Sequence, residues 1–157
     1  MQLHLAFYIG DFTNDQATAI DRLVCLTTWS RVSHVELVLD IENGWSVSSS
    51  PRDGGVRYTH IHYDPKHWIL IPIEVNTTLE ELNIWFQTQE GVPYDYVGAI
   101  GSVIPFFPES YNKWFCSELI MTFLNDVLAK QGISSEFVPR NTHPAKLLKL
   151  VEQKRKF

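Results

Sequence analysis

Two spacings of apolar residues divide the chain. Alternation and β-rich runs dominate up to about residue 75, while three- and four-residue spacing dominates after Thr77. In the first part, Leu3–Ile9 reads as a strand that stops at Gly10. Thr13 or Asn14 then caps a helix over 15–28, with Ala17, Ile20, Leu23, Val24 and Leu26 as its apolar stripe. Ser33-His34-Val35-Glu36-Leu37-Val38-Leu39 is a second strand, with His34 near its start. After a turn at Gly44, Trp45-Ser46-Val47-Ser48-Ser49 alternates as a half-buried strand, and Pro51-Arg52-Asp53-Gly54-Gly55 is a turn. Val56–Tyr63 and His67–Val75 complete the run of strands. Pro72 cannot donate to a ladder, so the last of these belongs at an edge or a bulge.

The second part is helical. Thr77-Thr78-Leu79-Glu80 supplies a capping box for a helix that turns Leu79, Leu82, Trp85 and Phe86 inward and ends at Gly91–Tyr94. Asp95–Val103 forms a short helix, and Ile104–Pro108 an apolar loop. Asn112 is a candidate cap for the next helix. There Leu119, Ile120, Phe123, Leu124, Val127 and Leu128 recur at helical spacing from Phe115 to about Ala129, with Gly132 as the stop. His143-Pro144-Ala145 opens a last helix. One small αβ unit, a run of four strands and then helices, without repeats or linkers, predict a single α+β domain over 1–157 with a mostly antiparallel sheet.

Composition changes this picture little. With 157 residues, 45% hydrophobic and 20% charged, the chain is long enough for one substantial core. A net charge of −5 argues against a nucleic-acid-binding surface, and the C-terminal lysines suit a helix end better. The N-terminus lacks a basic secretory n-region, and no apolar window is long enough for a bilayer. The expectation is therefore a cytoplasmic chain with no stable membrane insertion. Its two cysteines, Cys25 and Cys116, make neither a disulfide framework nor a zinc site. Cys25 falls in an apolar helical run and reads as core.

Cys116 is different, because it falls in the first turn of its helix. There free backbone N–H groups and the positive end of the dipole favour a thiolate, the nucleophilic form. The same amides are suited to an oxyanion. A thiol nucleophile needs a base within hydrogen-bond reach and a polar group to orient that base. Taken alone, Cys116 is also a plain small core residue, and His34 an edge histidine satisfied by solvent.

Three segments carry a resemblance that joins the two. Ser33–Leu39, Val47-Ser48-Ser49-Ser50-Pro51-Arg52-Asp53-Gly54-Gly55-Val56 and Trp114-Phe115-Cys116-Ser117-Glu118-Leu119-Ile120 resemble the permuted papain-like hydrolases. These form the YiiX-type branch of the NlpC-type peptidase superfamily, related to the lecithin–retinol acyltransferase family. Gly91–Gly98 and Thr142–Leu148 are similar to further stretches of such proteins, and the likeness covers most of the chain from about residue 30. It implies a circularly permuted papain-like fold, Cys116 as nucleophile and His34 as general base. It also implies Tyr94 as an aid to the oxyanion hole and Ser48 at the position of the third polar residue. The family usually has His, Asn, Gln or Glu at that third position, so Glu36 stays open as the group that orients His34.

The resulting expectation is a cysteine-dependent hydrolase of an amide or ester bond, working through an acyl-thioester. Its substrate would be a peptide, an acyl-lipid or a protein conjugate. No cofactor and no metal is called for, and the oligomeric state is open. Two alternatives stand beside it. A catalytically weakened binding module on the same fold would explain Ser48, with Val103–Phe107 as lid or contact surface. A zinc hydrolase would use His60 and His62, which share a strand face at i and i+2, although Pro65 stands where such a motif needs its third histidine.

Overall fold

The computed structural model describes residues 1–10, 30–102, 112–135 and 137–157. The expected helix over 15–28, Cys25 within it, and the apolar loop Ile104–Pro108 lie outside the described residues. Five strands form one antiparallel sheet: β1 (Gln2–Ile9), β2 (Val32–Asp40), β3 (Trp45–Ser50), β4 (Gly55–His60) and β5 (Trp68–Glu74). Their spatial order is β4-β3-β2-β1-β5. Four α-helices follow among the described residues: α1 (Leu79–Gln87), α2 (Tyr96–Gly101), α3 (Cys116–Lys130) and α4 (Pro144–Gln153). The architecture is α+β, as the order of periodicities predicts.

Alternation sorts the sheet into two unlike faces. Leu3, Leu5 and Phe7 of β1, Val35 and Leu37 of β2, Val47 of β3 and Ile71 and Ile73 of β5 join the core. Onto them pack Leu119, Ile120, Phe123, Leu124 and Val127 of α3 and Leu147 and Val151 of α4. The intervening residues lie on the opposite face. There the cross-strand register sets Trp68 beside Tyr8 and Tyr8 beside His34. One row along, Leu70 pairs with Ala6 and Ala6 with Glu36, while Ser48 pairs with Arg57. His34 and Glu36 thus face away from the helices.

Pro72 sits on β5, an edge strand, where its missing N–H costs no central ladder bond. Several boundaries differ from the sequence reading. β4 ends at His60, not Tyr63: after Ile61 N–H donates to Gly44 O (3.0 Å), Asp64 O accepts from both His67 and Trp68 N–H and turns the chain. The capping box lies one residue later than expected. Thr78 Oγ1 accepts from Glu81 N–H (3.1 Å), and Thr78 N–H donates to Glu81 Oε2 (3.0 Å). Leu82 and Phe86 share the buried stripe of α1, whereas Leu79, at the first helical position, is exposed. Among the described residues, no helix is long and apolar enough to cross a membrane.

Candidate active site

The start of α3 is moored to the sheet from two sides. Gly55 packs against the Val92 carbonyl so closely that a Cβ there would lie 2.1 Å from the oxygen. Only glycine admits this approach, which brings 91–94 against β4 through Val56 N–H to Val92 O (2.9 Å) and Tyr94 N–H to Gly54 O (3.0 Å). Tyr94 in turn bridges Trp114. Trp114 N–H donates to Pro93 O (3.1 Å), and its carbonyl accepts from Asp95 N–H (2.9 Å) and Ser49 Oγ (2.7 Å). Two residues later comes Cys116.

Asn112 is not the cap of this helix. It sits three residues upstream of the N-cap with a left-handed φ of 57°. The N-cap is Phe115, whose side chain makes no capping hydrogen bond. A benzyl group cannot accept from the first-turn amides, so the positive end of α3 is left for another anion. Glu118, at the third helical position, lies close enough to the Phe115 backbone N–H to offset part of the penalty of its burial.

His34 meets Cys116 where the sheet opens. The β2–β3 ladder runs from Asp40↔Trp45 to Leu37↔Val47. Beyond it, Ser48 Oγ donates to Val35 O (2.7 Å), filling an acceptor that faces β3. Past this point the Cys116 side chain comes up beside the His34 imidazole, close enough to act on its charge. The imidazole Nε2–H donates to Glu36 Oε1 (2.6 Å), which leaves Nδ1 as the ring nitrogen for the thiol. Glu36 is fully buried. Its carboxylate also accepts from Arg57 in bidentate fashion, Nη2 to Oε1 at 2.6 Å and Nη1 to Oε2 at 2.8 Å. Arg57 Nε donates to Asp53 Oδ2 (2.7 Å). Cys116, His34, Glu36, Arg57 and Asp53 therefore form one polar chain from helix to turn.

The charges reinforce one another. Burial alone would lower the His34 pKa, but the charge of Cys116 and that of Glu36, each with a hydrogen bond, push it up to about 10. Burial would raise the Glu36 pKa, yet His34 and Arg57 hold it below the usual carboxylate range. Arg57 is held more firmly protonated than usual by Glu36 and Asp53 in spite of its burial. A cavity of about 230 Å³ opens beside the network, walled by His34, Arg57, Tyr8, Trp68, Thr59, Ile61 and the 50–53 turn. Cys116 itself is only 2% exposed.

The expected site residues are distributed unequally. Cys116 and His34 come together. Tyr94 is buried in a small cluster with Ala99 and Phe115, next to the N-cap of the cysteine helix. Ser48 is not against the imidazole: its hydroxyl bonds Val35 O, and the group that bonds the ring is Glu36. Two residues along a strand span only about 7 Å, which a histidine and a glutamate on one face bridge easily. His60 and His62 do not share a strand, since β4 ends at His60. The His60 Nδ1–H donates to Asn43 O (3.0 Å), and its ring lies tilted against Trp45. Among the described residues no group of three or more His, Cys, Asp or Glu side chains is placed to hold a metal ion. Arg57 was not among the expected residues. Its signal was Glu36 itself, a carboxylate in the middle of an apolar strand that has to find a cation if buried.

No protein-family model matches the chain, and a comparison with curated proteins returns no match either.

Proposed function

We propose that the protein is a cysteine-dependent hydrolase of an amide or ester bond, with Cys116 as nucleophile, His34 as acid and base, and Glu36 as the group that orients His34. The observation that carries this reading is the arrangement itself: an imidazole bonded to a buried carboxylate, beside a cysteine in the first turn of a helix whose N-cap side chain makes no capping bond. His34, held protonated, stands ready to give a proton to the leaving group. The thiolate attacks a carbonyl carbon, and the oxyanion so formed faces the first-turn amides of α3. His34 gives its proton to the leaving amine or alkoxide, which departs and leaves an acyl-thioester on Cys116. Neutral His34 then takes a proton from water, the hydroxide adds to the thioester, and the adduct collapses to the free acid, expelling the Cys116 sulfur with His34 protonated again. The strand carrying His34 precedes the helix carrying Cys116, the order of a permuted papain-like chain. Peptide, acyl-lipid and protein-conjugate substrates all fit this chemistry, and a small acyl or side-chain group fits the adjoining cavity. Ser48, the feature behind the binding-module reading, is not in the orienting position, and a carboxylate is.

The test is alkylation of Cys116 by iodoacetamide between pH 5 and 9, followed by mass spectrometry. Cys116 is expected to label at pH 5–6, with His34→Ala slowing it by about tenfold or more. Because Cys116 is so little exposed, a bulky maleimide should react more slowly than iodoacetamide. Equal, slow labelling of the folded wild type and of His34→Ala would overturn the proposal.

A further inference from the structure

The cation behind Glu36 has a part beyond holding the sheet together. Arg57 lies on β4 and Glu36 on β2, with β3 between them. The residue in that gap is Ser48, the direct partner of Arg57. Its side chain is small enough for the guanidinium to pass over it, and Nη1 also donates to Ser48 O (3.3 Å). Asp53, at the β3–β4 turn, takes Nε and completes the fork geometry. Arg57 therefore reaches both Glu36 oxygens, while Oε1 is shared with His34 Nε2.

We propose that Arg57, fixed by Asp53 and admitted by the small Ser48, is a positioning residue that keeps Glu36 ionised and aimed at His34, so that Cys116 keeps its reactivity in mildly acidic conditions. This rests on the assignment of Cys116, His34 and Glu36 made above. The charged and titratable groups around Glu36 are His34 on its own strand, Arg57 from β4 and Tyr63 from the loop after β4, with Asp53 acting through Arg57 and on His34. Ala6 of β1, directly opposite Glu36, carries no charge. Without Arg57, the buried carboxylate keeps only His34 as a cation. It then takes up a proton as the pH falls, and the imidazolium loses its anionic partner.

The experiment is the pH profile of Cys116 alkylation by iodoacetamide in wild type, Arg57→Gln, Arg57→Lys, Glu36→Gln and the double variant, each checked for folding by circular dichroism. Arg57→Gln is expected to shift the acid limb upward by about one pH unit or more, which lowers the rate at pH 5 about tenfold and leaves that at pH 8 within about threefold. Arg57→Lys, which keeps the charge but not the fork, should restore part of the shift. In the Glu36→Gln background, removing Arg57 should move the limb no further, because its effect passes through Glu36. A folded Arg57→Gln protein with an unmoved acid limb overturns the inference, as does an equal shift in the Glu36→Gln background. Should Arg57→Gln fail to fold, Asp53→Asn takes its place, with a smaller upward shift expected and an unmoved limb again counting against. Failure of the underlying assignment looks different: wild-type Cys116 would then show no dependence on His34 at any pH.

Discussion

The two faces of β2 are built on opposite principles. Val35 and Leu37 point toward α3 and α4 and are stabilised by removal from water, without direction and in proportion to area. His34 and Glu36, interleaved with them, point the other way, and Glu36 is buried just as fully. A buried carboxylate gains nothing from desolvation. It is tolerated because three hydrogen bonds from two cations surround it. One face is held by burial of apolar area alone, while the other is held by opposite charges that also set the protonation of His34. Substitutions should separate the two.

The largest effect is expected at Glu36. Glu36→Ala leaves Arg57 and His34 facing each other without the carboxylate they share, at a cost of about 3 kcal/mol or more in urea unfolding, together with loss of the acid-side labelling of Cys116. Leu37→Ala should cost about 2–3 kcal/mol by opening a cavity under α3, yet leave the pH profile of labelling in place. A Leu37→Ala protein that is folded but has a shifted profile would collapse the distinction between the faces.

The dependence of stability on pH sharpens it further. The raised pKa of His34 means that its contribution is complete below the ordinary 6.5 and is lost as the pH rises through about 10. Glu36, with a lowered pKa, contributes fully above 4.5 and loses this as the pH falls through its folded value. Glu118 acts in the opposite sense to Glu36: burial first, then Asp95, raise it to about 7, so the native state disfavours its charge and stability falls as the pH climbs from 4.5 through 7. The melting temperature should therefore peak between about pH 4.5 and 6.5. Glu118→Gln keeps an acceptor for the Phe115 amide and should stabilise the protein by about 1–2 kcal/mol at pH 8, with almost no effect at pH 4.5. No gain at pH 8 would remove Glu118 from this account. The smallest effect is expected for Ser48→Ala, which loses one hydrogen bond to Val35 O, worth about 1 kcal/mol, while labelling of Cys116 is unaltered. A large loss of labelling would return Ser48 to the position of third catalytic member.

Much of this was legible in the chain itself. Alternation located all five strands, and helical spacing located α3 and its buried stripe, because both signals depend only on local geometry and the need to bury apolar area. The misplacements were local too. The end of β4 depended on Asp64 O taking two amides, and the capping box on which of two adjacent threonines meets Glu81. The site was half legible. Cys116 and His34 stood out by residue type and position, whereas Arg57 did not, since nothing in the order of residues says that β4 lies two strands from β2 with a serine between.

That division has a physical cause. Periodicity, turn residues and the first-turn place of Cys116 follow from interactions over a few residues, and so the sequence by itself determined the α+β class, the strand run and a thiol at a helix start. The choice of Glu36 over Ser48 as the partner of His34 was decided by tertiary structure. It rests on strand register, on the opening of the β2–β3 ladder after Leu37↔Val47, and on the burial that makes a carboxylate seek every cation within reach.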